Sequence, residues 1–277
     1  MSVRIVTDST CDLPAETIAR YGICVVPFYI NVGRQGFLDG IDITHEEFYQ
    51  RLPTFSEHPT TAVPSPQKFR AMYNTLADEG ATEVLSIHMS VALSAMVNVA
   101  RIAAQETTSV PVTVVDSQQL SLGMGFMVEK AAQLAEAGGS LTEILAVLND
   151  QIKRSFVFAA LDTLEFMRRS GRINRFMANL GGLLQLKPIL TMHEGIPGTE
   201  KARTREGATK RILKMLREVG TLERLAIVHT HALDRVTQLR DLVALILPNE
   251  GIMVADITPV IGVHIGPGAY GFAAVGK

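Results

Sequence analysis

The side chains best suited to chemistry in this 277-residue sequence fall into two groups, hydroxyls in the first half and cations in the second. Asp8-Ser9-Thr10, Ser90 through Ser94, and Asp116-Ser117 each follow a short β-type run, and Thr60-Thr61 lies in an extended stretch. Hydroxyls gathered at strand ends can hydrogen-bond a carboxylate, while Arg172, Arg203 and His264 can balance its charge or that of an incoming phosphate. Arg168, Arg169, Arg172 and Arg175 crowd residues 161–190, which also carry Leu180, Leu183, Leu184 and Leu186. A charged head beside a greasy tail suits an amphiphile. Each feature has a plainer reading too. Ser, Thr and Asp after a strand cap the next helix, and runs of charge usually lie on solvated faces.

Other constellations carry less. Gly266-Pro267-Gly268-Ala269-Tyr270-Gly271 spells GxGxxG after a strand-like run, but six residues remain beyond it, too few for a dinucleotide-binding βαβ unit. A tight glycine turn that brings the backbone of Gly266 and Gly268, with His264, to a ligand cleft fits better. His229 and His231 alternate along a strand and would share a face, with Asp234 as a third ligand. Further ligands are missing, so no metal and no other cofactor is expected. Walker, GxSxG and HExxH patterns are absent, and no nucleophile has an evident base. Ser90, Ser94 and Ser117 therefore read as hydrogen-bonding groups rather than catalytic ones.

The elements that must position these residues divide the chain. Strands at 3–6, 24–32, 84–88 and 112–115 alternate with helices at 13–20, 45–52, 66–79, a stretch ending near 106, 127–137 and 141–153. This pattern calls for an α/β domain over residues 1–153, with a largely parallel sheet and helices on both faces. Ligands of such sheets sit beyond the carboxyl ends of the strands. Residues 33–40 read as loop, and four prolines keep 53–66 extended. From 154 to 277 the rhythm changes. A strand at 156–161 is followed by a hairpin at 187–204 that turns from Glu194-Gly195 to Gly198 and carries Arg203 on its returning strand. A helix at 206–219, a strand at 225–230, a helix at 233–247 and one or two strands at 251–265 complete an α+β domain with a mixed sheet. Two lobes imply a cleft with the ligand between them.

Composition narrows the function. The formal net charge of −2 argues against a nucleic-acid partner. Residues 151–217 nonetheless hold fourteen Lys and Arg against five Asp and Glu, a basic surface for an acidic partner. No run of about 18 uncharged apolar residues predicts a membrane span, and no signal-peptide pattern opens the chain, so a cytoplasmic protein is expected. Cys11 and Cys24 have neither disulfide-framework nor zinc spacing.

Eight segments in order resemble the DegV family of bacterial lipid-binding proteins. They are TDSTCDLP at 7–14, TAVPSP at 61–66, SVALS at 90–94, VVDS at 114–117, SGRI at 170–173, KPIL at 187–190, KART at 201–204 and HIGPGAYG at 264–271. The resemblance implies a two-lobed, non-enzymatic carrier of one long-chain fatty acid. Its partner would be a separate ATP-dependent fatty-acid kinase subunit, which makes the acyl phosphate, with at most transient contact to a membrane. Matched residue by residue, Thr61 and Ser94, alongside Ser90 and Ser117, would hold the carboxyl group. Arg172, Arg203 and His264 would serve phosphoryl transfer or kinase docking. Where the family pattern continues Leu-Ser-Gly-Thr this chain has Leu93-Ser94-Ala95-Met96, and Ala62-Val63 replace Ser-Gln, which makes the expected headgroup end less polar. The competing readings are a stand-alone metal-dependent hydrolase built on His229 and His231, and a carrier of another apolar ligand without a kinase partner.

Overall fold

The computed structural model describes residues 2–176, 186–244 and 252–277. Leu180, Leu183 and Leu184 lie outside the described residues, as do the side chain of Arg175 and the expected end of the helix at 233–247. The first half runs β1 (Val3–Asp8), α1 (Ala15–Arg20), β2 (Cys24–Val26), β3 (Tyr29–Val32), β4 (Gln35–Leu38), α2 (His45–Arg51), β5 (Thr60–Ala62) and α3 (Pro66–Asp78). It continues with β6 (Glu83–His88), α4 (Met96–Glu106), β7 (Val112–Asp116), α5 (Ser121–Glu136) and α6 (Leu141–Arg154). The second half runs β8 (Ser155–Ala160), α7 (Glu165–Arg169), α8 (Ile173–Phe176), β9 (Lys187–His193), β10 (Ile196–Ala202) and α9 (Arg205–Val219). It ends with β11 (Leu222–His229), α10 (Leu233–Val243), β12 (Met253–Asp256), α11 (Pro259–Ile265) and β13 (Tyr270–Gly276).

This is a mixed α/β fold. The N-terminal sheet has the order β2-β1-β6-β7 and is parallel throughout. The C-terminal sheet has the order β10-β9-β8-β13-β11-β12 and is antiparallel except where β11 meets β12. Strand alternation sorts its side chains between two cores. Val157, Ala159, Ala273 and Val275 join a core continuous with the N-terminal sheet, while Phe158, Ala160, Phe272 and Ala274 pack with α9 and α10 residues such as Ile212 and Leu239. Gln119 stitches the two sheets together, its amide donating to the Ser155 carbonyl at 2.8 Å and the Met192 carbonyl at 3.3 Å. Arg224 adds a 2.8 Å ion pair to Glu129 on α5 and lies over the Phe126 ring.

Several elements depart from the sequence reading. Residues 33–40 are not loop: β4 pairs with β3, and the proline-flanked Thr60–Ala62 pairs with the other edge of β3, giving a small antiparallel sheet. The run at 24–32 is two strands in different sheets, parted at Pro27-Phe28. Gly123 and Gly125, read as loop, lie inside α5, buried against Val157 and Cys11. Gly198, expected in the hairpin turn, is paired with Thr191 within β10, and the turn is Glu194-Gly195, both at positive φ. The expected strands at 251–265 reduce to β12, because Thr258-Pro259 opens α11. That helix is buried on nearly every side, so its apolar run has no helical period to betray it.

The carboxyl ends of β1 and β6 are locked by a buried polar chain. Asp8 accepts from the Thr10 hydroxyl at 2.5 Å and the Met89 amide at 3.1 Å, and meets His88 Nδ1 at 3.0 Å. With its proton on Nδ1, the His88 ring leaves Nε2 to accept from Ser86 at 2.7 Å, and Ser86 meets the Tyr73 hydroxyl at 2.9 Å. All five side chains are fully buried, so this Asp-His-Ser array is a rivet and not a reactive triad. Burial pushes the Tyr73 phenol up to about 12.

Candidate functional site

A cavity opens between the carboxyl end of the parallel sheet and one face of the mixed sheet. It offers about 100 Å³ to the centres of water molecules, where one water needs roughly 10–15 Å³ on that measure. Its floor is the inward-facing register of the mixed sheet, Val157 and Ala159 of β8, Leu190 and Met192 of β9, and Val228 of β11. Phe28, Met89, Leu93 and Leu120 come from the first half of the chain, and Val260, Ile261 and Ile265 from α11. This wall is aliphatic and aromatic, with few polar interruptions.

Four of the residues singled out from the sequence lie on that wall: Thr61, Ser94, Arg172 and His264. Thr61 comes from β5 and His264 from the end of α11, and their Oγ1 and Nε2 atoms are 3.2 Å apart. Ser94 Oγ accepts from the Met96 amide at 3.2 Å, which leaves its hydroxyl proton able to donate to a ligand. Arg172 follows α7, its backbone amide bonded to Met167 at 3.0 Å, and its guanidinium lies 3.4 Å from the Ser170 carbonyl. Together they offer hydroxyl donors, an imidazole and a cation at the margin of an apolar space, the set that a carboxylate on a hydrocarbon chain requires.

The other candidates stand elsewhere. Ser90 and Ser117 are fully buried and off the cavity wall, their hydroxyls bonded to the Ala92 amide and to Gln119. They shape turns, as capping residues do. Arg203 is exposed, one residue beyond the returning strand and away from the wall. Gly266 and Gly268 do not present amides to the cleft, since these bond to the Gly262 and Thr230 carbonyls at 2.8 Å. They are required for a different reason. Both have positive φ, and a Cβ would strike the Phe166 ring at one and Asp162 at the other. Ala62, Val63, Ala95 and Met96 do not line the cavity, so they leave its wall no less polar. Arg168 and Arg169 are tied to Glu165 at 2.6–3.0 Å, and their hydrogen bonds hold its carboxyl down at about 2.

The histidine pair is also rearranged. His229 ends β11, but His231 has φ 50° and leaves the strand, its ring stacked on Tyr49. His229 Nδ1 faces the Ala232 amide at 3.3 Å, and burial lowers the pKa of its ring. Asp234 is exposed and paired with Arg235. Among the described residues no three His, Cys, Asp or Glu side chains converge as a metal site.

Sequence reasoning missed Ser121, the cavity-lining first residue of α5, and the carboxyls behind it. Asp12 accepts from Ser121 Oγ at 2.5 Å and from the Thr258 amide at 2.9 Å, while Asp39 accepts from the Thr258 hydroxyl at 2.5 Å. Desolvation lifts both carboxyl groups above their ordinary range, against the pull of these hydrogen bonds. A carboxyl whose native pKa is raised takes up a proton on folding. Its contribution is complete below the unfolded value, about 3.9, and is lost as pH rises through the raised native value. Asp12→Asn removes that titration. Urea unfolding at stepped pH should show the variant gaining stability relative to wild type as the pH rises above the ordinary carboxylate range.

Comparison with known proteins agrees with this architecture. A DegV protein from Thermus thermophilus, whose structure is described as showing fatty-acid binding, superposes with TM-score 0.91 at 40% identity over 100% of both chains. DegV of Bacillus subtilis, described as a fatty acid binding protein, superposes with TM-score 0.92 at 29% identity, again over 100% of both. A DegV domain-containing protein of Streptomyces coelicolor is 35% identical over 274 residues, covering 97% of this chain and 96% of its own length. The family profile described as "Uncharacterised protein, DegV family" matches residues 2–277, and on that match the chain belongs to the DegV family.

Proposed function

We propose that the protein binds one long-chain fatty acid, with the carboxyl group at Thr61, Ser94 and His264 and the chain along the apolar wall. The observation that carries this reading is the hydroxyl–imidazole pair, Thr61 and His264, set 3.2 Å apart in a cavity lined mainly by apolar side chains. The fatty-acid binding described for the relatives from Thermus thermophilus and Bacillus subtilis supports it. Burial of about sixteen methylene-type carbons at roughly 0.8 kcal/mol each gives a gross gain of ~13 kcal/mol, so the tail dominates affinity and the head sets orientation. Lipid extraction from protein purified without detergent, followed by mass analysis, tests it. A stoichiometric acyl chain is expected; bound zinc with no lipid would instead favour a hydrolase.

The protein does no chemistry on its ligand in this proposal. It presents the carboxyl group to a separate ATP-dependent kinase subunit in the cytoplasm, with residues 1–153 and 154–277 as the two lobes. Arg172 and His264 attend the phosphoryl group, and exposed Arg203 docks the kinase. Because Arg203 is off the cavity wall, Arg203→Ala should leave fatty-acid affinity within about twofold of wild type. Acyl-phosphate formation at limiting kinase should fall at least about tenfold, roughly the 1.4 kcal/mol expected from a lost interfacial charge. An equal loss of lipid affinity would move Arg203 from docking to ligand binding.

A further inference from the structure

Thr258 occupies the N-cap of α11, where a threonine hydroxyl normally accepts from a backbone amide of the first turn. Here it makes no such bond. The hydroxyl points outward to Asp39 at 2.5 Å, and the Thr258 amide donates to Asp12 at 2.9 Å. Thr258 is fully buried, and neither carboxyl group reaches the cavity wall. We propose that Asp12 and Asp39 form a clamp on Thr258 that positions α11, and through it sets the contact of His264 with Thr61.

The packing around the clamp supports a positioning role. Asp12 also holds Ser121, so one carboxyl group registers the turn after β1, the start of α5 and the start of α11. Asp12 at φ 52° and Ser121 at φ 51° both sit in the left-handed region, which costs non-glycine residues about 1 kcal/mol or more and persists only where neighbours over-determine it. The body of α11 is set mainly among apolar neighbours, with a hydrogen bond between the Val263 backbone and His58 as a further tie. It rests Gly262 against the Tyr49 hydroxyl, which itself donates to the Ile257 carbonyl at 2.9 Å. From Thr258 to His264 the helix spans about 9 Å at 1.5 Å per residue. A tilt of about 10° at the clamped end therefore moves His264 by roughly 1.6 Å, enough to break a bond of 3.2 Å.

This inference rests on the fatty-acid reading only for its binding arm. Thr258→Val keeps the side chain's shape and the amide hydrogen bond to Asp12 but deletes the hydroxyl donor to Asp39, and Thr258→Ser restores that donor. Each variant is followed by the 15N signals of the His264 imidazole in ligand-free protein, by palmitate titration and by urea unfolding. Thr258→Val is expected to shift the His264 signals and weaken palmitate about tenfold, with Thr258→Ser within about twofold of wild type. Loss of stability alone, with His264 signals and palmitate affinity unchanged, overturns the clamp. Should wild-type protein bind no palmitate, the fatty-acid reading fails, and the His264 signals alone decide the clamp by the same criterion. Should Thr258→Val not fold, Thr258→Cys, a poor donor of similar size, replaces it with the same expected outcomes.

Discussion

Ala159→Phe should abolish fatty-acid binding while leaving the protein folded. Ala159 faces the cavity from the middle of β8, between Val157 and Leu161 on the same side of the strand. Its cross-strand neighbours are Leu190 on β9 and Gly271 on β13. The Ala159–Gly271 pair is therefore a low point in the floor, flanked by larger side chains. A benzyl group there projects into open space rather than into packed atoms, so the overpacking penalty of about 1–3 kcal/mol is relieved by the cavity itself. The ligand loses what the ring takes. Displacement of five or six methylenes at roughly 0.8 kcal/mol each removes about 4 kcal/mol of binding, close to a thousandfold. Palmitate titration beside urea unfolding would check both halves. Unchanged affinity in a folded Ala159→Phe protein would place the acyl chain somewhere other than this cavity.

How far the sequence foretold this site depended on how locally each feature is encoded. The strand–helix alternation of the first half is legible because each element has its own signal. Thr44 with Glu47 closes a capping box where the spacing predicts one, and Ser140 caps its helix, where the structure adds Glu143 to complete a second box. The apolar core of α11 had no such signal, because a helix surrounded by protein on nearly all sides loses the polar stripe that marks a helical period. Hydroxyls were harder. Thr61, Ser94, Ser90 and Ser117 look alike in sequence, yet the first two reach the cavity and the last two are fully buried away from its wall. Ser90 and Ser94 each accept from the amide two residues on, so what separates them is where the backbone carries the side chain, onto the wall for Ser94 and into buried packing for Ser90, which residue type does not reveal. Asp12 and Asp39 were invisible as a pair. They are 27 positions apart in the chain and meet only through Thr258, more than 200 positions further on. Long-range convergence of that kind has no local pattern.

Gly271→Ala is expected to cost about 3 kcal/mol or more, and its cause differs from that of the other glycines in the GxGxxG stretch. Gly266 and Gly268 sit in the turn between α11 and β13 at positive φ, where a side chain is strained by backbone conformation as well as by Phe166 and Asp162. Gly271 lies within β13, in the ladder between β8 and β11. A Cβ there would collide with the Phe158 carbonyl and lie 2.5 Å from the Ala159 Cα, both backbone atoms of the neighbouring strand. No rotamer change can relieve contacts with backbone, and strand β8 is held on its other side by β9. The sheet must part locally or slip, and a one-residue slip would turn Val157 and Ala159 away from the cavity. Gly138→Ala provides the contrast. It has φ 83° but no heavy atom within 4 Å of where the added methyl group would stand, so conformational strain alone, about 1 kcal/mol, is expected. Urea unfolding of the two variants separates the causes. Equal losses would mean that the β8–β13 contact yields easily; a much larger loss at Gly271 shows that close backbone approach at the cavity floor is a condition of the fold.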